Sequence, residues 1–168
     1  MSDADRADGD VVHPLLTAHF EIFRRAQTER ELEDQIDFVP PIIQRYGLVS
    51  SQARVTRAAS GETVWVTPGM RGAGLSRMSV RTRSRGSCFG PVESVASRGL
   101  WGLNEDLEGR RSLYGLVPDG NPVVGLDLRD GGHLTAPVVE GVVIIRDIER
   151  INTIEFLDAT GGTQRQLC

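Results

Sequence analysis

The sequence predicts an α+β domain in which an N-terminal helical segment precedes a mostly antiparallel β-sheet. Three observations lead there. Apolar residues recur at helical spacing in the first third of the chain and at alternate positions from residue 52 onward. The alternating runs are short and bounded by Gly- and Pro-containing turns, so about seven or eight strands are expected. The connections are also too short for the repeated crossover helices that a parallel sheet needs. One helix interrupts the strands, between Cys88 and Gly99.

Residues 1–12 begin MSDADRADGD, acidic and poor in apolar side chains, and read as a disordered acidic tail. Pro14 suits a first helical position, where its missing N–H would be unpaired anyway. Leu15, Leu16, Phe20 and Phe23 then share one face, predicting a helix over 14–25. Thr28 and Glu31 have the spacing of a capping box, so a second helix is expected to run from there to Asp37. Val39 stands before Pro40 and Pro41, and a residue preceding proline disfavours the helical region, so the helix must end there. One further turn over 41–47 is expected to stop at Gly47.

Residues 53–59 and 63–67 flank Ser60-Gly61-Glu62 and predict a hairpin. Pro68-Gly69 turns the chain into an alternating run over 74–84. Residues 91–98 read as the interrupting helix, opened by Pro91 and closed by Gly99. The polar stretch 104–111 reads as a loop. Strands are predicted over 112–117 and 122–128, joined by the Pro118-Asp119-Gly120 turn, with a brief pairing over 133–136. The run 138–145 is almost wholly apolar, which predicts a central strand buried on both faces. Residues 151–158 alternate again, and Gly161-Gly162 opens a flexible C-terminal tail over 161–168. A single domain over 13–160 follows. Its core is expected from Val64, Val66, Met78, Val80, Leu113, Leu116, Val124, Leu126, Val142, Ile144, Ile154 and Phe156.

A chain of 168 residues fits one domain, and at that size about 70% of the unfolded surface is buried without a metal or disulfide staple. No run approaches the ~18 apolar residues of a membrane span, and no signal peptide is visible, so the cytoplasm is the default expectation. All 19 basic residues are arginine. Without lysine, Schiff-base and pyridoxal-dependent chemistry and the P-loop lysine are excluded. The three histidines and two cysteines fit no metal-ligand spacing, and no cofactor is implied. The net charge of −4 speaks against a general affinity for nucleic acid. It is unevenly spread: residues 71–100 carry +5, whereas residues 1–34 and 101–168 each carry −5.

Arg77, Arg81, Arg83 and Arg85 are all at odd positions, with Met78 and Val80 between them. In a strand the arginines would form a cationic row on one face, spaced about 6–7 Å apart. That row is the candidate binding surface, for an acidic protein partner, an anionic ligand or the acidic tail of a second copy. Successive phosphates of a nucleic acid have a similar spacing, but stacking aromatics are few. The alternative is a solvated edge strand balanced by the acidic flanks.

Residues 86–91 read Gly-Ser-Cys-Phe-Gly-Pro. A G-x-C-x-G string after a strand and before a helix has the context of a nucleophile elbow, with Cys in place of Ser. In this alternative, Cys88 is the nucleophile of a hydrolase or transferase, His133 the general base, and Asp130 or Asp127 the orienting carboxylate. The opposing expectation is a small buried hydrophobe at Cys88 and a frayed terminal thiol at Cys168.

Three further segments are Phe20-Glu-Ile-Phe-Arg-Arg25, Thr63-Val-Trp-Val-Thr-Pro-Gly69 and Leu113-Tyr-Gly-Leu-Val-Pro-Asp-Gly120. Together they resemble a group of uncharacterised proteins from high-GC bacteria, over about residues 19–160. In that group an FxxFRR-like helical opening leads into a β-rich domain with a Val-Pro-Asp-Gly turn. Its members commonly carry an N-terminal membrane anchor and a cysteine in the strand after the Trp strand. Here residues 73–76 are Ala-Gly-Leu-Ser instead. The resemblance implies a fold and no activity. The expected function is a non-catalytic binding or interaction module.

Overall fold

The computed structural model of the chain describes residues 12–34, 36, 38–78, 85–106 and 108–167, with the backbone alone at Met78 and Arg85. Helix α1 (Pro14–His19) is shorter than the spacing predicts. Phe20 is extended, and Glu21–Phe23 form a single 3-10 turn. The break has a tertiary cause. Asp119, in the Pro118–Gly120 turn, accepts the Glu21 N–H at 2.7 Å and an Arg24 Nη2 bond at 2.5 Å. The chain bends to meet that turn, while Leu16, Phe20, Ile22 and Phe23 stay buried.

Helix α2 (Glu29–Glu33) opens with the expected capping box between Thr28 and Glu31, but ends short of Asp37. Helix α3 (Pro40–Tyr46) begins one residue before the expected turn and stops at Gly47, whose φ of 59° is the left-handed conformation glycine tolerates.

Three antiparallel sheets follow. The first is β1 (Arg54–Arg57), β2 (Thr63–Pro68), β3 (Gly72–Met78) and β4 (Arg85–Pro91), in chain order. Helix α4 (Val92–Arg98) leads to the second, made of β5 (Leu100–Glu105), β6 (Arg111–Leu116) and β9 (Val142–Arg146), in the order β5-β6-β9. The third holds β7 (Val123–Leu128), β8 (His133–Pro137), β10 (Ile151–Leu157) and β11 (Thr163–Leu167), in the order β11-β10-β7-β8. The α+β class and antiparallel pairing are as predicted. No helix among the described residues is long and apolar enough to cross a membrane.

Three strands stand where none is predicted: β4, β5 and β11. The expected C-terminal tail is thus corrected, because residues 163–167 pair with β10 as an edge strand. Its polar sequence, Thr-Gln-Arg-Gln-Leu, carries no buried face that would announce it.

The β5-β6-β9 sheet is the middle of three layers. Leu100, Tyr114, Leu116 and Val142 face a core shared with Val64, Val66, Ala73 and Leu75 of the first sheet. Val143 and Ile145 face the opposite core, with Val124, Leu126, Ile154 and Phe156 of the third sheet. This arrangement corrects one expectation. The apolar run over 138–145 ends in β9, which is an edge strand rather than a central one. It is apolar at successive positions because a core lies on each side of it. Of the other expected core residues, Leu113 and Ile144 are half-buried against these clusters. Val80 lies outside the described residues.

Two glycines of the middle sheet make room for aromatic rings. Gly102 faces Tyr114 across the β5–β6 ladder, and a Cβ there would come within 2.3 Å of the ring. Gly115 faces Trp101, where a Cβ would come within 2.4 Å. Each ring folds over the glycine opposite, so the layers approach without a void.

Candidate functional site

The expected cationic row is only partly described, and its described member points inward. Arg81 and Arg83 lie outside the described residues. Arg85 pairs by its backbone with Met78. Arg77 is buried, at 8% exposure. Its guanidinium donates from Nη1 to Ser112 Oγ at 2.7 Å and from Nη2 to Glu62. The parity of β3 explains this correction. Ala73 and Leu75 fill the core between the first two sheets, and Arg77 follows them on the same face. The opposite face carries Gly72 and Gly74, which leave space for the Tyr46 and Phe89 rings. Arg77 therefore ties the β1–β2 turn to the middle sheet.

Residues 86–91 are strand, not an elbow. Neither Gly86 nor Gly90 has a positive φ. Cys88 is opposite Leu75, on the face toward the core. Burial pushes its thiol up to about 12, against a smaller opposing effect of its hydrogen bond with Tyr114. Burial likewise raises the Tyr114 hydroxyl. Such a thiol is protonated at neutral pH, the reverse of what a nucleophile requires. His133 is in the third sheet, with Nδ1 2.8 Å from Asp127 Oδ1. Asp127 also accepts from Thr153, and these bonds hold its carboxyl below the usual range. Asp130 accepts the Gly132 N–H within the β7–β8 turn. The structure thus pairs His133 with one of its two candidate carboxylates, while Cys88 has a different partner in a different sheet. Cys168 lies outside the described residues.

Two residues not expected as site residues, Arg25 and Glu31, close one edge of the first sheet. Glu31 is 1% exposed. It accepts two bonds from Arg25 at 2.7 Å each, the Thr28 N–H at 2.7 Å and the Val55 N–H at 2.6 Å. Arg25 also donates to the Val55 carbonyl at 3.1 Å and to Glu140 at 2.5 Å. Val55 is in β1, the edge strand. Its N–H and C=O are thereby satisfied by a carboxylate and a guanidinium, as a neighbouring strand would satisfy them. Burial opposes ionisation of Glu31, but Arg25 and the two amides outweigh it and hold the carboxyl down at about 2. The capping box was the only local signal of this network, since it reveals Glu31 as a bonded carboxylate without revealing Arg25 or Val55.

The β5 edge is different. Its first two residues, Leu100 and Trp101, line a groove of about 630 Å³ together with residues of β4, α4, β10 and β11. Trp101 and Phe156 form the apolar floor, with ring centroids 5.6 Å apart. The charged residues lining it are Arg98 and Arg165, and no carboxylate lines it. Arg165 is held by Glu155 at 2.7 Å, and among the described residues Arg98 makes no ion pair. A smaller cavity of about 300 Å³ adjoins the Pro118–Gly120 turn. Of the three carboxylates lining it, Asp119 and Glu140 are bonded to Arg24 and Arg25, and Glu21 is the third.

No group of His, Cys, Asp and Glu with the geometry of a metal site occurs among the described residues. Comparison of the chain with protein-family models, curated proteins and solved structures found no match.

Proposed function

We propose that this chain is a non-catalytic binding module for an acidic protein segment, and that the groove along β5 receives it. One observation carries this reading: in a chain of net charge −4, the larger groove is lined by two arginines and no carboxylate. Its aromatic floor offers apolar contact beside the charge, a combination suited to a peptide with both acidic and apolar side chains. The basic segment over 77–85 remains a second source of positive potential at the level of sequence. The surface argued from structure is the groove.

The test is a fluorescence-anisotropy titration with a labelled, acidic, Glu-rich peptide in low salt. Saturable binding that weakens with added salt is expected. Reversing Arg98→Glu together with Arg165→Glu should weaken it at least about tenfold, equivalent to 1.4 kcal/mol. Arg129→Glu together with Arg150→Glu, both exposed and outside the groove, is the control for net charge. No binding by the native chain up to about 1 mM peptide, a free energy near −4 kcal/mol, would overturn the reading.

A further inference from the structure

We infer that the acidic segment is received as an added strand, pairing with β5 and extending the middle sheet from three strands to four. This inference rests on the groove being the binding site and concerns how the site is used.

The outer sheets have four strands each and the middle sheet has three. The walls of the groove come from β4 and β11, each the terminal strand of its own sheet. Both outer layers therefore flank the place where a fourth middle strand would lie. Leu100 and Trp101 bring the start of the β5 edge to that place. Strand β5 pairs with β6 on one side, and no strand among the described residues pairs on the other. An unpaired edge presents a row of N–H and C=O groups, which is the template for strand addition.

The walls specify the occupant. Side chains of a strand alternate between faces, so an added strand would point one set toward α4 and the other toward β11. Arg98 ends α4, and Arg165 lies in β11. Trp101 and Phe156 favour apolar side chains between the charges. Leu167, at 80% exposure, adds apolar surface to the groove, and Leu103, at 53%, is exposed farther along β5. The chemistry matches an extended segment with acidic residues at adjacent positions, one for each wall, and apolar residues between such pairs. The six residues of β5 would pair with a partner strand spanning about 20 Å.

The probe is a Glu-Glu-Val-Val repeat peptide of about eight residues, within the ordinary length of a strand. Two series of N-methylated versions carry the modification on alternate amides, one series for each parity. Ladder bonding predicts that one series loses binding by at least about tenfold, since its amides face β5, while the other keeps it. Amide hydrogen exchange on the full chain should show added protection within residues 100–105 when the peptide is bound. Binding that ignores N-methylation parity and leaves β5 unprotected would overturn strand addition while leaving acidic-segment binding intact. Absence of binding by the unmodified peptide would overturn both. Binding that survives the Arg98→Glu, Arg165→Glu reversal, with protection elsewhere, would overturn the choice of groove.

Discussion

The β1 and β5 edges pose the same physical problem and meet it in opposite ways. A terminal strand leaves alternate backbone groups without ladder partners. At β1 the chain answers with side chains: Glu31 takes the Val55 N–H and Arg25 bonds the Val55 carbonyl. The same two residues bond each other, and Glu140 completes the guanidinium shell. Burying a charge is costly unless every hydrogen-bonding capacity is used, and here both partners use several. At β5 no side chain performs that service among the described residues, and the edge opens into a groove. The difference teaches that closing an edge with ions requires a dense set of partners, brought here from residues 25, 31, 55 and 140. Leaving one open requires only walls that keep a second molecule of the wrong chemistry away.

The largest expected effect is at the closed edge. Glu31→Ala removes the centre of the network and strands Arg25 and the Val55 N–H, so we expect a loss of about 3–5 kcal/mol. A lower denaturant midpoint with an unchanged slope is the measurement, and a loss below about 1 kcal/mol would break the comparison. The same network predicts an acid response. The folded carboxyl titrates at about 2, below its ordinary 4.5, so its contribution is whole above pH 4.5 and is lost as pH falls toward 2. Stability of Glu31→Gln should vary less across that window than stability of the native chain.

A smaller effect is expected on β5 itself. Gly102→Ala places a Cβ against the Tyr114 ring and should cost about 1–3 kcal/mol by overpacking. That loss would show that β5 is committed to the core on its inner face, however open its edge. Smallest of all is Leu103→Gln, at an exposed position of the same strand. Stability should stay within about 0.5 kcal/mol of native, while the peptide should lose affinity through the lost apolar contact at the far end of its added strand. Unchanged affinity would confine the site to the part of the groove around Trp101.

Much of the fold was legible because its signals are local. The Thr28–Glu31 capping box needs only four consecutive residues, and Gly47 stops its helix through its own backbone freedom. The hairpin turns at 60–62 and 118–120 declare themselves by composition. The strands that escaped notice lack an apolar alternation. Strand β4 contains Gly86, Ser87 and Gly90, and β11 is polar at four of five positions. The site was less legible still. Arg98 and Arg165 are distant in sequence and share a groove only because β11 returns beside α4. Cys88 looked activated because glycines surround it, yet those glycines lie in a strand, and Gly86 admits the Tyr114 hydroxyl.

The sequence by itself determined the α+β class, the antiparallel pairing, the positions of most turns and the exclusion of lysine chemistry. These follow from backbone preferences and from the spacing of apolar side chains, which act over a few residues. Tertiary structure decided which face of β3 is buried, and with it the burial of Arg77. It also gave the apolar β9 an edge position between two cores, and it joined Arg25, Glu31 and Glu140 at Val55. Each of those outcomes depends on which layer covers which face, and that is set by contacts between segments far apart along the chain.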